Sequence, residues 1–270
     1  MFKEYKISNN PHITSLYTAF KRHMESNFTF DGESHDFWEL VCVIEGKVGV
    51  TAGSNIFSLE KGQAILHSPM QFHRLYSEGD TSPAVIIFSF NGENIPDISD
   101  KICRINNLSE LYEIYELCKQ NYLFDDIKII GIKNIHDIGY LTFIKKLEIF
   151  LLNLSVNSLT NNTPQSQRAK NFSLIVNTLE NNLDKRLTVS DIASMCSMSD
   201  INVKKTFSKY AGVGIIEYFN RLKIKKAIEL LNSGYSVKET AIFLGFTDQN
   251  YSSTVFKRIT GCSPSGTMRN

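Results

Sequence analysis

The chain has 270 residues, 42% of them hydrophobic and 21% charged, with a formal net charge of +1. It is long enough for two ordinary domains with cores of their own and too apolar for a disordered chain. Five scattered cysteines without a Cys-x-x-Cys pair suggest neither a disulfide framework nor a zinc site. The first residues lack a signal-like apolar stretch, and Lys145, Lys146 and Glu148 interrupt the best candidate membrane span. The expectation is a cytoplasmic protein with no membrane segment.

Taken in chain order, residues 37–44 and 47–52 read as short strands, with Glu45-Gly46 as the turn between them. Further β-prone runs at 55–59, 63–67 and 84–90 follow, punctuated by Gly53, Gly62, Pro69 and Gly79. Many short strands at close spacing predict a small barrel or sandwich. Two helices come next. The one at 109–122 puts Leu111, Ile114, Tyr115 and Cys118 on one stripe. The one at 136–156 does the same with Leu141, Ile144, Leu147, Leu151 and Leu154. Its apolar stripe fits either a cover for the barrel or a dimer seam. A polar, Asn- and Ser-rich stretch holding Pro164 reads as a linker at 158–170, between a domain at 1–157 and another at 171–270.

The second part is helical throughout. Phe172, Ile175, Val176, Leu179 and Leu183 make one apolar stripe. Thr188 caps the next helix, with Asp191 three residues on, and that helix buries Ile192, Ala193 and Cys196. Ser199 caps a third, which buries Val203 and Phe207 and ends near Gly212. A long helix at 215–232 follows. Ser236 and Glu239 form a capping-box signature for a short helix carrying Val237 and Ala241. Thr247 caps a last helix, stopped by Gly261 with Pro264 beyond. Charge splits along the same division. From Gln165 onward fifteen Lys and Arg stand against eight Asp and Glu, a net of +7; before it the counts are fourteen and twenty, a net of −6. A basic module that meets a polyanion, tethered to an acidic module with another task, accounts for this.

The helical part also repeats itself. An offset of 48 residues pairs Val189 with Val237, Ala193 with Ala241, Asp200 with Asp248, Asn202 with Asn250 and Lys209 with Lys257. Each unit is a short helix, a tight turn and a longer helix, the helix-turn-helix plan. The segments Leu187-Thr-Val-Ser-Asp-Ile-Ala193, Glu217-Tyr-Phe-Asn-Arg-Leu222, Ala241-Ile-Phe-Leu-Gly-Phe-Thr-Asp-Gln-Asn-Tyr251 and Gly261-Cys-Ser-Pro264 carry a family likeness. Through them residues 172–266 resemble the DNA-binding domain of AraC/XylS-type regulators. Two positions depart from the pattern. Ser252 stands where an apolar or aromatic residue is usual, implying looser packing of the last helix with Tyr251 as compensation. Thr254 stands where a basic residue is frequent, implying a different base preference. The pieces His35-Asp-Phe-Trp-Glu39, Gly46, Gly62 and Pro69-Met-Gln-Phe-His73 resemble the cupin-like sensor barrel of the same family.

The fold class expected is α+β, with an N-terminal cupin-like β-barrel and trailing helices ahead of a C-terminal all-α double helix-turn-helix domain. The resemblance implies a transcription regulator that binds double-stranded DNA, answers to a small-molecule effector, forms a homodimer and, if it activates, meets RNA polymerase. The base-reading faces implied are Ile201, Lys204 and Lys205 in the first unit and Gln249, Asn250, Ser253 and Thr254 in the second, with Lys257 on phosphate. Lys223, Lys225 and Lys226 read either as a solvated face or as phosphate contacts. In the barrel, His35, Glu39 and His73 come near the two-histidine, one-carboxylate set of iron oxygenases. The catalytic cupin pattern carries a further histidine two residues before or after His35, however, and Glu33 and Phe37 stand there. The reading is therefore a polar pocket wall that contacts a ligand, with no metal, no cofactor and no enzymatic activity. One rival is the same DNA-binding regulator without a ligand, controlled by abundance or a protein partner. The other is a cupin metalloenzyme joined to a basic helical module.

Overall fold

The computed structural model describes residues 10–159, 166–246 and 248–267. Its N-terminal half is built from strands β1 (His12–His23), β2 (Trp38–Glu45), β3 (Lys47–Ala52), β4 (Asn55–Glu60), β5 (Gln63–His67), β6 (His73–Ser77), β7 (Ala84–Glu93) and β8 (Ile102–Arg104). Helix α1 (Leu108–Asn121), strands β9 (Tyr122–Asp125) and β10 (Lys128–Ile132), helix α2 (Gly139–Val156) and strand β11 (Ser158–Leu159) complete it. The strands form an eight-stranded sheet in the order β11-β8-β5-β2-β7-β1-β10-β9 and a three-stranded sheet in the order β4-β3-β6. The two face each other around a shared interior. The barrel-like shape thus comes from two open sheets rather than one closed ladder.

The central strands are apolar at nearly every position because both faces of the large sheet are covered. On β2, Leu40, Cys42 and Ile44 pack towards the helices, while Val41 and Val43 point between the sheets. On β7, Ala84, Ile86, Phe88 and Phe90 take the helical side, and Val85 and Ile87 the inner one. The inner side is closed by Val48, Val50, Phe57, Leu59 and Leu75 of the small sheet. The outer side is closed by Leu111, Ile114 and Cys118 of α1 and by Phe143, Leu147, Phe150, Leu151 and Leu154 of α2. The buried stripe of α2 is rotated from the expected one: Phe143 and Phe150 are inside, and Leu141 is 46% exposed.

The helical half comprises α3 (Gln167–Glu180), α4 (Val189–Met195), α5 (Asp200–Ala211), α6 (Ile215–Asn232), α7 (Val237–Phe243), α8 (Gln249–Thr260) and α9 (Pro264–Thr267). The stretch expected as a linker begins in β11, which pairs with β8, and ends in α3; residues 160–165 lie outside the described residues. The caps fall where local chemistry puts them. Thr188 with Asp191 and Ser236 with Glu239 form complete capping boxes at α4 and α7. Ser199 caps α5, and Gly212 and Gly261 end α5 and α8 in the left-handed conformation. The cap of α8 is Asp248, accepting from the Asn250 N–H, one residue beyond the expected Thr247, which lies outside the described residues.

The halves are in contact. Tyr218 of α6 donates to the Gly53 carbonyl at 3.2 Å, Ser173 of α3 to the Ser54 carbonyl at 2.6 Å, and Thr51 of β3 to the Tyr210 carbonyl at 2.7 Å. Phe72 belongs to the core of α3, α4, α5 and α6, with its ring 4.8 Å from that of Tyr218. Among the described residues no helix is long and apolar enough to cross a membrane.

Candidate ligand pocket and nucleic-acid interface

Between the two sheets lies a cavity of about 330 Å³, at the small end of the range for ligand pockets. Phe20, Met24, Phe28, Phe30, Val85 and Ile87 supply most of its apolar wall. Glu33, His35, Glu39 and His73 close its polar end, so the three residues singled out from the sequence do meet on one surface. Strand geometry explains this. Glu39 shares the inward face of β2 with Val41, and His73 opens β6, whose next inward residue is Leu75. Glu33 arrives through an isolated bridge from its loop to His73 of β6, a distant pairing that the sequence pattern does not announce.

The polar end is charged. His73 Nε2 lies 3.3 Å from one Glu39 oxygen, and His35 Nε2 lies 3.8 Å from the other. Burial raises the Glu39 carboxyl, but the imidazoles of His73 and His35 beside it overcome this and hold the group well below the usual carboxylate range. Burial lowers His73, and the neighbouring Glu39 charge outweighs that and raises it above the ordinary histidine value. A third imidazole, His67, is one the sequence pattern does not single out. Its ring stacks on His73 at 4.4 Å, and burial pulls it down to about 3, so it stays neutral. Ser89 donates to Glu39 at 3.4 Å across the β2–β7 ladder.

In the helical half, Val203 and Phe207 are buried and hold α5 in place, leaving Ile201, Lys204 and Lys205 exposed along its first turns. On α8, Val255 and Phe256 are buried, Asn250, Thr254 and Lys257 are exposed and Ser253 is half-buried. The side chain of Gln249 lies outside the described residues. The Thr254 hydroxyl donates to the Asn250 carbonyl at 2.9 Å. Each unit therefore anchors its second helix by one face and offers the opposite face to solvent, the arrangement a groove-reading helix needs.

Comparison with known proteins identifies both halves. Residues 15–109 match the family model of the AraC-like ligand binding domain, and residues 192–270 match a helix-turn-helix domain model. The chain belongs to the AraC family. The Bacillus subtilis bifunctional transcriptional activator/DNA repair enzyme AdaA is 28% identical over 92 residues, 34% of this chain and 44% of AdaA. The Staphylococcus aureus transcriptional regulatory protein HptR is 31% identical over 91 residues, 34% of this chain and 36% of HptR. The chain thus spans less than half the length of these curated relatives. Among solved structures, ToxT from Vibrio cholerae O395 aligns over 97% of this chain and 98% of its own, at 15% identity and a TM-score of 0.40.

As an AraC-family chain it has two features at the junction of its helix-turn-helix units that sequence reasoning did not find. Lys223 on α6 is buried, not a phosphate-facing lysine. Its ammonium donates to the Lys185 carbonyl at 2.8 Å and the Leu244 carbonyl at 2.6 Å, and it lies over the rings of Phe219 and Phe246. Burial pulls it down to about 8 against the pull of Asp184. It ties the turn before α4 to the end of α7, one from each unit. Gly245, at φ +64°, lets the second turn approach the Asp184 backbone, where a Cβ would collide with the Asp184 carbonyl. The departing Ser252 is buried beside a residual void of about 10 Å³ and near Thr240, whose hydroxyl lacks a hydrogen-bond partner. The side chain of Tyr251, the expected compensation, lies outside the described residues.

Proposed function

We propose that this chain is a sequence-specific DNA-binding transcription regulator of the cytoplasm whose N-terminal half binds a small molecule between its two sheets. The carrying observation is the pair of helix-turn-helix units, each with its second helix exposed, on an α6 strut of 18 residues, about 27 Å at 1.5 Å per residue. Successive major grooves on one face of B-DNA lie about 34 Å apart, so one copy reads two adjacent groove segments. Lys204 and Lys205 suit guanine O6 and N7, Asn250 and Gln249 suit adenine N6 and N7, and Ile201 suits a thymine methyl. The basic C-terminal half supplies phosphate contacts, while the acidic N-terminal half disfavours an anionic ligand. Two copies pair through α2, and an activating role would add contact with RNA polymerase.

The deciding experiment is selection of sites from random DNA with the full chain, repeated with a small-molecule fraction of cell extract. A defined site, steep loss of affinity with salt and a shift on adding the fraction are expected. Uniform recovery of random DNA would sink sequence-specific regulation. A defined site unaffected by any fraction would favour control by abundance or a protein partner.

A further inference from the structure

The polar end of the cavity has the geometry of a metal site. Glu33, His35, Glu39 and His73 each offer one ligand atom, and the four atoms lie within 4.8 Å of one another. His73 Nε2 stands 3.3 Å from Glu39 and 3.9 Å from Glu33, and His35 Nε2 stands 3.8 Å from Glu39. Atoms bound about 2.1 Å from a shared ion lie roughly 3 to 4.2 Å apart, so modest side-chain adjustment closes the set. On sequence His35, Glu39 and His73 are one ligand short. Glu33 supplies the fourth by way of its bridge to His73.

The imidazoles are also oriented for it. His35 Nδ1 lies 2.9 Å from the Phe37 carbonyl, and His73 Nδ1 lies 3.0 Å from the Gln71 carbonyl. A carbonyl only accepts, so each Nδ1 carries a proton, and Nε2 is the atom that each ring turns to the carboxylates. Among the described residues neither Nε2 atom has a hydrogen-bond partner, both are buried, and His73 is 1% exposed.

We propose that Glu33, His35, Glu39 and His73 bind one divalent first-row transition-metal ion at the polar end of the cavity. Two carboxylates balance the charge of a dication, and two imidazoles select zinc, iron, cobalt or nickel over magnesium and calcium. The four side chains line the cavity, so the remaining coordination positions face it. The inference stands whether or not the chain regulates transcription.

The test is titration of the metal-stripped full chain with cobalt(II) and zinc(II), followed by calorimetry and, for cobalt, by its visible absorption. One ion per chain with micromolar or tighter affinity is expected, with cobalt bands of a nitrogen- and oxygen-ligated site. His35→Ala and His73→Ala should each weaken binding at least a hundredfold. Because His73 is fully buried, the second variant of choice is Glu33→Ala, at a side chain 49% exposed, which should weaken binding at least tenfold with an unchanged circular dichroism spectrum. Affinity no better than millimolar, equal affinity for magnesium and zinc, or cobalt binding unaltered in His35→Ala and Glu33→Ala would each overturn the proposal.

Discussion

Lys205 and Asn250 are exposed on the first turns of α5 and α8, and neither anchors its helix to the core. Truncating either leaves packing intact and removes only groups proposed to meet DNA. Lys205→Ala and Asn250→Ala should each cost about 1–3 kcal/mol in binding and relax preference at separate base positions. Lys257→Ala, on the last turns of α8, should weaken all sites alike and flatten the salt dependence by about one phosphate contact. Binding of the three variants to a panel of single-base operator variants checks this; loss of preference at one shared base pair for both reading residues contradicts the two-groove arrangement. The exposed face of α5 was legible in the sequence because helix periodicity fixes which positions a buried Val203 and Phe207 leave outside. Lys223 was not legible. It sits three and two residues from Lys226 and Lys225 on the same helix, and only the carbonyls of two distant turns distinguish a buried strut from a solvated lysine. The same holds for Glu33, whose place at the pocket depends on a bridge from its loop to β6.

Strand β6 is the element that faces both halves. Successive side chains of a strand point to opposite sides, so His73 and Leu75 line the cavity while Arg74 between them reaches the helical half. Arg74 donates through Nε to the Phe30 carbonyl at 2.6 Å and through Nη1 to the Lys209 carbonyl at 2.5 Å, near the end of α5. Its register partner Thr51 donates to the next carbonyl of that helix, Tyr210. Gly212, which ends α5 at φ +70°, lies where a Cβ would stand 2.8 Å from the Asp31 carbonyl oxygen. A ligand that displaced His73 would therefore act on the strand that holds the C-terminal turn of α5. Arg74→Ala should cost about 1.5–3 kcal/mol, the worth of hydrogen bonds from a charged donor. Hydrogen exchange should quicken at the amides of α5 near Lys209 and Tyr210 while the β2–β7 ladder stays protected. Unchanged exchange in α5 would show that β6 does not couple the halves. The sequence hid β6 because its five residues, His-Arg-Leu-Tyr-Ser, hold a single aliphatic side chain and carry too little pattern. It hid β1 because bulges near Ser15 and Thr18 break its alternation. The capped helices were readable because their stop and start signals are local.

At the scale of the whole molecule, one face of α2 is apolar and turned to solvent in the single chain. Leu141, Ile149, Leu152 and Val156 of α2 are 46%, 53%, 41% and 84% exposed, on the side turned away from Phe143, Leu147, Phe150 and Leu154, and Ile138 at its N-terminal cap is 73% exposed. The helix faces the sheet with one side and solvent with another apolar one, which is why periodicity assigns Leu141 to the core. A rod of 18 residues with aliphatic side chains at three- and four-residue spacing suits pairing with its own copy about a two-fold axis, where the same patch serves both partners. Pairing there leaves the contact of β6 with α5 untouched and brings four reading helices to one stretch of DNA. Ile149→Glu with Leu152→Glu places two carboxylates at the middle of that seam without disturbing the buried side. Each should cost about 2 kcal/mol or more of association, so the pair should weaken dimerisation by more than a hundredfold. Sedimentation velocity at micromolar concentration should show a dimer for the native chain and a monomer of the same melting temperature for the double variant, with DNA affinity reduced through loss of the second copy. A native chain that sediments as a monomer at tens of micromolar, or a double variant that stays dimeric, would remove α2 as the seam.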